Sequence, residues 1–300
     1  MPPRGTIRVM AGQTLSEIRA LLADAGLSPQ QRLGQHFLID LNLLRKVVAA
    51  AELNPADTVL EVGPGTGSLT ELLLEAGVRV VAVEIDRGLQ AILRKRLGGH
   101  PRFTLVQGDA LAGKYAVNPL VMKVLEDQPP DTGGLYKLVA NLPYQIATPL
   151  LMNLLHGPVR FERLTATIQR EVGQRLTAAP RTEAYGPASI VTQTLAEVIP
   201  HAILPPSAFW PRPQVESILL TLRPRPTADL DVDDVAGFVA FVQHAFQQRR
   251  KMLRRVFREW DDAFATRVFQ RSGISPLARP EELSPPDWRR FFRVFQQFSH

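Results

Sequence analysis

Thr58-Val-Leu-Glu-Val-Gly-Pro-Gly-Thr-Gly67 runs from five strand-forming residues straight into three glycines at two-residue spacing. The first half reads as a buried strand. The second half lets the backbone bend sharply and come close to a ligand. A helix pattern follows through about residue 76, so the glycines sit between a strand and a helix N-terminus with free N–H groups. Downstream, 79–84 reads as a second strand, 89–97 as a helix, 103–107 as a third strand and 136–140 as a fourth. Between the third and fourth lies a Pro/Gly-rich excursion, 113–134. This alternation predicts an α/β fold, a parallel sheet covered on both faces.

Further out, 161–168 and 218–222 read as strands around a helix, and the Pro-rich RPRPT at 223–227 reads as a linker. Helical patterns at 232–247, 249–259, 262–272 and 286–298 predict a small helical domain. Upstream, Thr14 and Glu17 form a capping-box pattern ahead of Leu15, Ile18, Leu21 and Leu22. Asp40 is placed to cap a second helix.

The 300 residues carry 35 Lys+Arg against 29 Asp+Glu, a formal charge of +6 that favours a polyanionic partner. There is no cysteine, which excludes disulfides, zinc–thiolate sites, iron–sulfur clusters and cysteine nucleophiles. The longest charge-free run, 138–159, is broken by Pro143, Pro149 and Pro158, so it is not read as a membrane span. The N-terminal stretch has no apolar core of signal-peptide length. A cytoplasmic protein is expected.

Gly63, Gly65 and Gly67 alone also fit a plain tight turn. No Gly-Lys-Ser/Thr follows them, which disfavours a nucleotide P-loop, and the spacing departs from G-x-G-x-x-G. Glu84 ends the second strand, where an acid can accept both hydroxyls of a ribose. Asp109, in Gln107-Gly-Asp-Ala110, ends the third, where an acid can accept from an adenine amino group. Three consecutive strands thus bring a glycine loop, an acid and an acid to one edge. That order points to an adenosine-containing cofactor. Neither acid is placed to meet a pyrophosphate, which suits S-adenosyl-L-methionine better than NAD.

Asn141-Leu-Pro-Tyr144 follows the fourth strand at the same edge. Alone it also fits a strand-ending turn with a packed tyrosine. Beside the cofactor set it fits methylation of an adenine N6, whose lone pair is delocalised into the ring. The Asn141 side-chain oxygen and a carbonyl of the turn can accept the two N6 hydrogens and favour a more tetrahedral nitrogen. Pro143 stiffens the turn, and Tyr144 can stack on an unstacked base. Such a transfer needs alignment and electrostatics. The histidines at 36, 100, 156, 201, 244 and 300 have no ligand spacing, and no metal is expected.

RLGQHFLID (32–40), EVGPGTGSLT (61–70), VEID (83–86), GDAL (108–111), NLPYQIATPLL (141–151), QREVGQRL (169–176) and FWPRPQVES (209–217) occur in that order. In this the chain resembles the ribosomal RNA adenine N6,N6-dimethyltransferases, most of all their bacterial small-subunit (16S) branch, over about 30–300. The resemblance implies a Rossmann-like S-adenosylmethionine-dependent methyltransferase sheet with a small C-terminal α-helical domain. It implies an N-terminal helical extension over 1–28, a methyltransferase domain over 29–226 and an RNA- and ribosome-binding helical domain over 227–300. The implied reaction is dimethylation of two adjacent adenosines in a hairpin near the 3′ end of the small-subunit RNA. The implied partner is the immature small subunit, met by a monomer.

Carried over by motif, the cofactor contacts are His36, Leu38, Gly63, Glu84, Asp109 and Asn141, with Gly65 in the same loop. Contacts to the target base are Asn141, Leu142, Pro143 and Tyr144, with Phe209 as a second stacking face. The family usually has Asn where His36 stands. Two rivals share the core motifs: the large-subunit enzymes of macrolide resistance, and non-catalytic nucleic-acid-binding factors on the same fold. The FWPRPQVES segment and the C-terminal domain favour the small-subunit reading, and the intact NLPY with both acids favours catalysis.

Residues 243–258 hold Arg249, Arg250, Lys251, Arg254, Arg255 and Arg258 and no acid. A run of this kind is commonly a solvated helix face. Beside an RNA-directed site it is expected to contact phosphates.

Overall fold

In the computed structural model the described residues are 12–113, 116–226, 230 and 232–299. They form two compact units, one of residues 1–170 with 200–221, the other of 171–199 with 222–300.

The sequence of apolar runs in the first unit becomes β2 (Thr58–Val62), α3 (Ser68–Glu75), β3 (Arg79–Glu84), α4 (Arg87–Leu97), β4 (Phe103–Gln107), β5 (Tyr136–Asn141), α6 (Ala147–Leu155) and β6 (Phe161–Gln169). With β7 (Ala196–Leu204) and β9 (Ser217–Pro224) these strands make one seven-stranded sheet in the order β4-β3-β2-β5-β6-β9-β7. The β2–β3, β2–β5, β3–β4 and β5–β6 pairs are parallel. All five residues of β2 are buried, as a strand covered on both faces requires. Val59, Leu69, Leu73, Val80, Leu93 and Val139 belong to one apolar core. The strand order reverses between β2 and β5. That leaves a crevice beyond their C-terminal ends, where Gly63–Gly67 and Asn141 both emerge.

Several details depart from the sequence reading. The excursion at 113–134 contains a helix, α5 (Pro119–Glu126), capped by the Asn118 side chain with Pro119 in its first turn. Two short strands were not foreseen. β1 (Phe37–Leu38) pairs antiparallel with β8 (Phe209–Trp210), so Leu38 lies opposite Phe209.

Asp40 caps α2 (Leu41–Ala50), and the N-terminal helix, α1 (Leu15–Asp24), is capped by Thr14 and Glu17, both as expected. It is built into its unit. Ile18 and Leu22 are buried in a cluster with Phe37, Leu89 and Ile92. Gln13 Nε2 donates to the Thr66 carbonyl at 3.0 Å, inside the glycine loop. The Arg19 guanidinium lies 5.1 Å from the centre of the Trp210 ring. Residues 1–11 of the expected extension lie outside the described residues.

The second unit is helical. It comprises α7 (Arg170–Thr177), except its first residue, and α8 (Pro187–Leu195), α9 (Val235–Phe246), α10 (Leu253–Val256), α11 (Asp262–Ser272) and α12 (Pro285–Phe298). The sequence put its start at 227, after the Pro-rich linker. The structure adds 171–199, because α8 buries residues on several sides, among them Ile190, Val191 and Leu195, and packs on α9 and α12. Trp288 is fully buried, and Tyr185 donates to the Leu283 carbonyl at 2.7 Å. Trp260 is stacked on one side against Phe257 (4.3 Å between centroids) and on another against Phe295 (5.4 Å). The helix expected over 249–259 shrinks to the single turn of α10, with turns before it.

Ile18 has no exposed surface, so Ile18→Ala should cost about 2–5 kcal/mol of stability. Chemical denaturation followed by circular dichroism measures it. An unchanged transition would make α1 an ornament.

Candidate active site

The site begins at the end of β2. Gly63, Gly65 and Gly67 have φ of 73°, 63° and 94°, a region that side chains rarely adopt. Space excludes a side chain as well. A Cβ at Gly65 would lie 2.9 Å from the Phe37 ring, and one at Gly63 would lie 3.2 Å from Pro143. The loop therefore lets the segments carrying Phe37 and Pro143 close over it. Together these segments line a cavity of about 300 Å³. Its wall includes Gly63, Gly65, Glu84, Asp109 and Asn141, with Leu142, Pro143, Tyr144, His36 and Leu38. Of the residues singled out for cofactor and base, Phe209 alone is missing from this wall.

Glu84 is 4% exposed. Its carboxylate accepts from the Asp86 N–H at 2.9 Å and the Gly65 N–H at 3.3 Å. Burial pushes its pKa up to about 7, against the lowering effect of those two N–H groups. Glu61, in the middle of β2 and 1% exposed, also lines the cavity and was not foreseen as part of it. Burial raises it to about 8; the Thr70 hydroxyl, donating at 2.7 Å, lowers it, and the Glu84 charge raises it. Two acidic side chains in the wall suit a ligand that offers hydroxyls. Two polar atoms, Thr66 Oγ1 in the loop and Ser68 Oγ at the start of α3, are buried with no partner among the described residues. Asp109 stands on the exposed rim, its carboxylate accepting from the Leu111 N–H at 2.9 Å.

Asn141 ends β5. Its Nδ2 donates to the His36 carbonyl at 2.9 Å, and its Oδ1 accepts from the Thr167 hydroxyl on β6. The Tyr144 hydroxyl and the Ser217 hydroxyl share a hydrogen bond of 2.7 Å, and burial raises the Tyr144 pKa. Thr167 and Ser217, both fully buried, were missed by the sequence reading. A threonine or serine within a strand carries no signal of its partner in a distant segment.

His36 Nδ1 lies 2.7 Å from the Pro211 carbonyl, which can only accept, so that nitrogen carries the proton. The His36 ring lies 5.6 Å from the Tyr144 ring at an angle of 31°. Phe209, expected as the second stacking face, is 3% exposed and belongs to the apolar core with Leu38 and Leu44. Its pairing with Leu38 in the β1–β8 ribbon turns it inward.

In the helical unit the six cations separate. Arg249 is committed internally. It pairs with Glu281 at 2.5 Å and donates to the carbonyls of Glu183 and Thr182 at 2.8 and 2.9 Å. Arg250, Lys251, Arg254, Arg255 and Arg258 are exposed. Among the described residues no ion pair engages them.

A model of the family described as "Ribosomal RNA adenine dimethylase" matches residues 26–297. The chain is 39% identical over 290 residues to the ribosomal RNA small subunit methyltransferase A of Moorella thermoacetica, covering 95% of this chain and 97% of that one. To the protein of the same name from Phenylobacterium zucineum it is 38% identical, covering 91% and 90%. Among solved structures, a dimethyladenosine transferase from Plasmodium falciparum shares the fold with a TM-score of 0.69 at 23% identity, over 88% of this chain and 98% of that one. The 23S rRNA methyltransferase ErmE matches with a TM-score of 0.61 at 25% identity, over 88% and 100%. With a glycine loop, a buried acid and an asparagine turn around one cavity, and relatives matched over nearly their whole length, the chain belongs to the ribosomal RNA adenine dimethylase family.

Proposed function

We propose that the protein is an S-adenosylmethionine-dependent enzyme that dimethylates N6 of two adjacent adenosines in a 3′-terminal hairpin of small-subunit ribosomal RNA. The immature small subunit is its substrate, and it acts as a cytoplasmic monomer. The observation that carries the reading is the Asn141 amide, held at both ends, on the wall of the same cavity as buried Glu84. The large-subunit alternative is less well supported. The relatives at 35–40% identity bear the small-subunit name, while ErmE is 25% identical.

The wall fits S-adenosylmethionine chemically. Glu84 would accept from the ribose hydroxyls, Asp109 from the adenine amino group, and Gly63, Gly65 and Leu38 would let the cofactor lie close to the backbone. When bound, that cofactor supplies an electrophilic methyl group on a sulfonium centre.

The chain's own residues would act on the target base. Asn141 Oδ1 takes one hydrogen bond from Thr167 and keeps a second lone pair for an N6 hydrogen. A backbone carbonyl of the turn would be the second acceptor; that of Pro143 already takes one bond, from the Ile146 N–H at 3.1 Å. Two acceptors on N6 favour a tetrahedral nitrogen with an available lone pair. Tyr144, its hydroxyl fixed by Ser217, offers a ring for stacking. The five exposed cations of the helical unit would meet RNA phosphates.

Labelled S-adenosylmethionine, incubated with small subunits that lack the modification, tests the whole reading. Label should appear as dimethyladenosine in small-subunit RNA and not in large subunits. Asn141→Ala should slow single-turnover transfer roughly 10²-fold or more while RNA binding persists. A near-normal rate would remove Asn141 from the chemistry.

Glu84 makes cofactor binding depend on pH. Its carboxylate, the better acceptor, forms as pH rises through about 7, so affinity should strengthen from pH 6 to 8. The gain should reach up to about tenfold per pH unit below the pKa. Glu84→Gln should lack that component. Calorimetric titration of both proteins isolates it from the cofactor's own amine, and parallel profiles would exclude Glu84.

Reversing Arg250, Arg254 and Arg255 to Glu should weaken binding to immature small subunits and flatten its salt dependence. Cofactor affinity should stay constant. Equal affinities and salt slopes would make these cations a solvated face and send the search to Arg170, Arg175 and Arg181.

A further inference from the structure

We infer that Thr167 holds the Asn141 amide oxygen in place and is a positioning residue for methyl transfer. The inference rests on the reading of Asn141 as an N6 acceptor. Asn141 and Thr167 are register partners across the β5–β6 pair, and the Leu142 N–H donates to the Thr167 carbonyl at 3.1 Å. The backbone thus holds the Thr167 hydroxyl at a fixed offset from the Asn141 side chain. Thr167 has no exposed surface.

A primary amide fits its space almost equally well with oxygen and nitrogen exchanged. Each end of the Asn141 amide meets a partner that bears on this choice. The His36 carbonyl only accepts, so it requires an N–H, and Nδ2 supplies one at 2.9 Å. The Thr167 hydroxyl then has to donate to Oδ1, which it does. Turned over, the amide would set Oδ1 against the His36 carbonyl with no proton between them. The His36 carbonyl thus decides which end is oxygen, and the Thr167 hydroxyl, donating to that oxygen, holds it in place and leaves one Oδ1 lone pair for N6. The hydroxyl contacts the amide and not the substrate, so its effect runs through Asn141 alone.

Thr165 shows what a purely structural hydroxyl would look like. Two residues away on the same strand, it shares a hydrogen bond of 2.9 Å with Thr221, away from the cavity wall. Thr167 differs because its partner is the residue proposed to do the chemistry.

Thr167→Val keeps the shape and removes the hydroxyl, whereas Thr167→Ser keeps the hydroxyl. With small subunits lacking the modification, Thr167→Val should slow single-turnover transfer roughly ten- to a hundredfold. KM for RNA and cofactor affinity should stay within about threefold. Thr167→Ser should remain within about threefold of wild type, and Thr167→Val should add nothing in an Asn141→Ala background. A wild-type rate for Thr167→Val, an equal loss in Thr167→Ser, or additive losses with Asn141→Ala would each overturn the assignment. If the valine variant does not fold, Thr167→Ala against Thr167→Ser makes the same comparison.

A second readout needs no activity. The Asn141 side-chain amide protons, assigned by their loss in Asn141→Ala, should give one slowly exchanging pair in wild type and in Thr167→Ser. In Thr167→Val they should exchange faster. Unchanged exchange would refute the positioning role. A wild-type protein that moves no methyl to N6 would instead refute the functional reading, and the amide signals would still decide the role of Thr167.

Discussion

Gly63 and Pro143 are in such close approach that a single added carbon at Gly63 would lie 3.2 Å from the proline ring. This approach follows from strand order. β2 has β3 on one side and β5 on the other, so the turns that leave β2 and β5 start side by side. Everything proposed for the site needs them close. The turn after β2 would carry the cofactor, the turn after β5 carries Asn141, and a reacting methyl has to pass between them. A proline stiffens one turn and a glycine without a side chain makes room in the other. The tolerance for change at this seam is accordingly small.

The seam is also where the protein accepts an electrostatic cost. Glu61 and Glu84 are buried on neighbouring strands, and burial raises both pKa values, to about 8 and about 7. An acid whose pKa is higher in the folded than in the unfolded chain favours folding most below its unfolded value, near 4.5. That contribution is lost as pH rises from there through the folded values of about 7 and 8. The two acids therefore weaken the fold somewhat across the range in which Glu84 gains its charge. A ligand offering hydroxyls and positive charge would offset that cost. Binding and stability are thus linked through the same two carboxylates.

The parts of this structure that were legible in the sequence are those written in local patterns. β3 and β4 fall at the expected residues because buried parallel strands are short apolar runs between breakers. Glu84, Asp109 and Asn141 meet at one cavity because each follows a strand in a parallel sheet. The rest depends on partners far along the chain. Phe209 is expected from the resemblance as a second stacking face for the base, yet pairing with Leu38 turns it into the core. Arg249 is indistinguishable in sequence from Arg250, but Glu281 and two carbonyls fold it inward. The Pro-rich linker suggested a domain start at 227. The burial of α8 against α9 and α12 shows that composition can suggest a joint without saying which helices share a core.

The placement of the three tryptophans gives the molecule its own optical reporters. Trp210 sits in the sheet-containing unit, stacked on Phe37 and approached by Arg19. Trp288 is fully buried in the helical unit, and Trp260 lies there against Phe257 and Phe295. Indole emission shifts to the blue in apolar surroundings and to the red in water. Each unit therefore carries its own indole reporter. Light from Trp210 follows the ribbon beside the cavity, and light from Trp260 and Trp288 follows the aromatic core of the other unit. No label needs to be attached, and with no cysteine in the chain, a single introduced thiol could carry an energy-transfer acceptor for either signal.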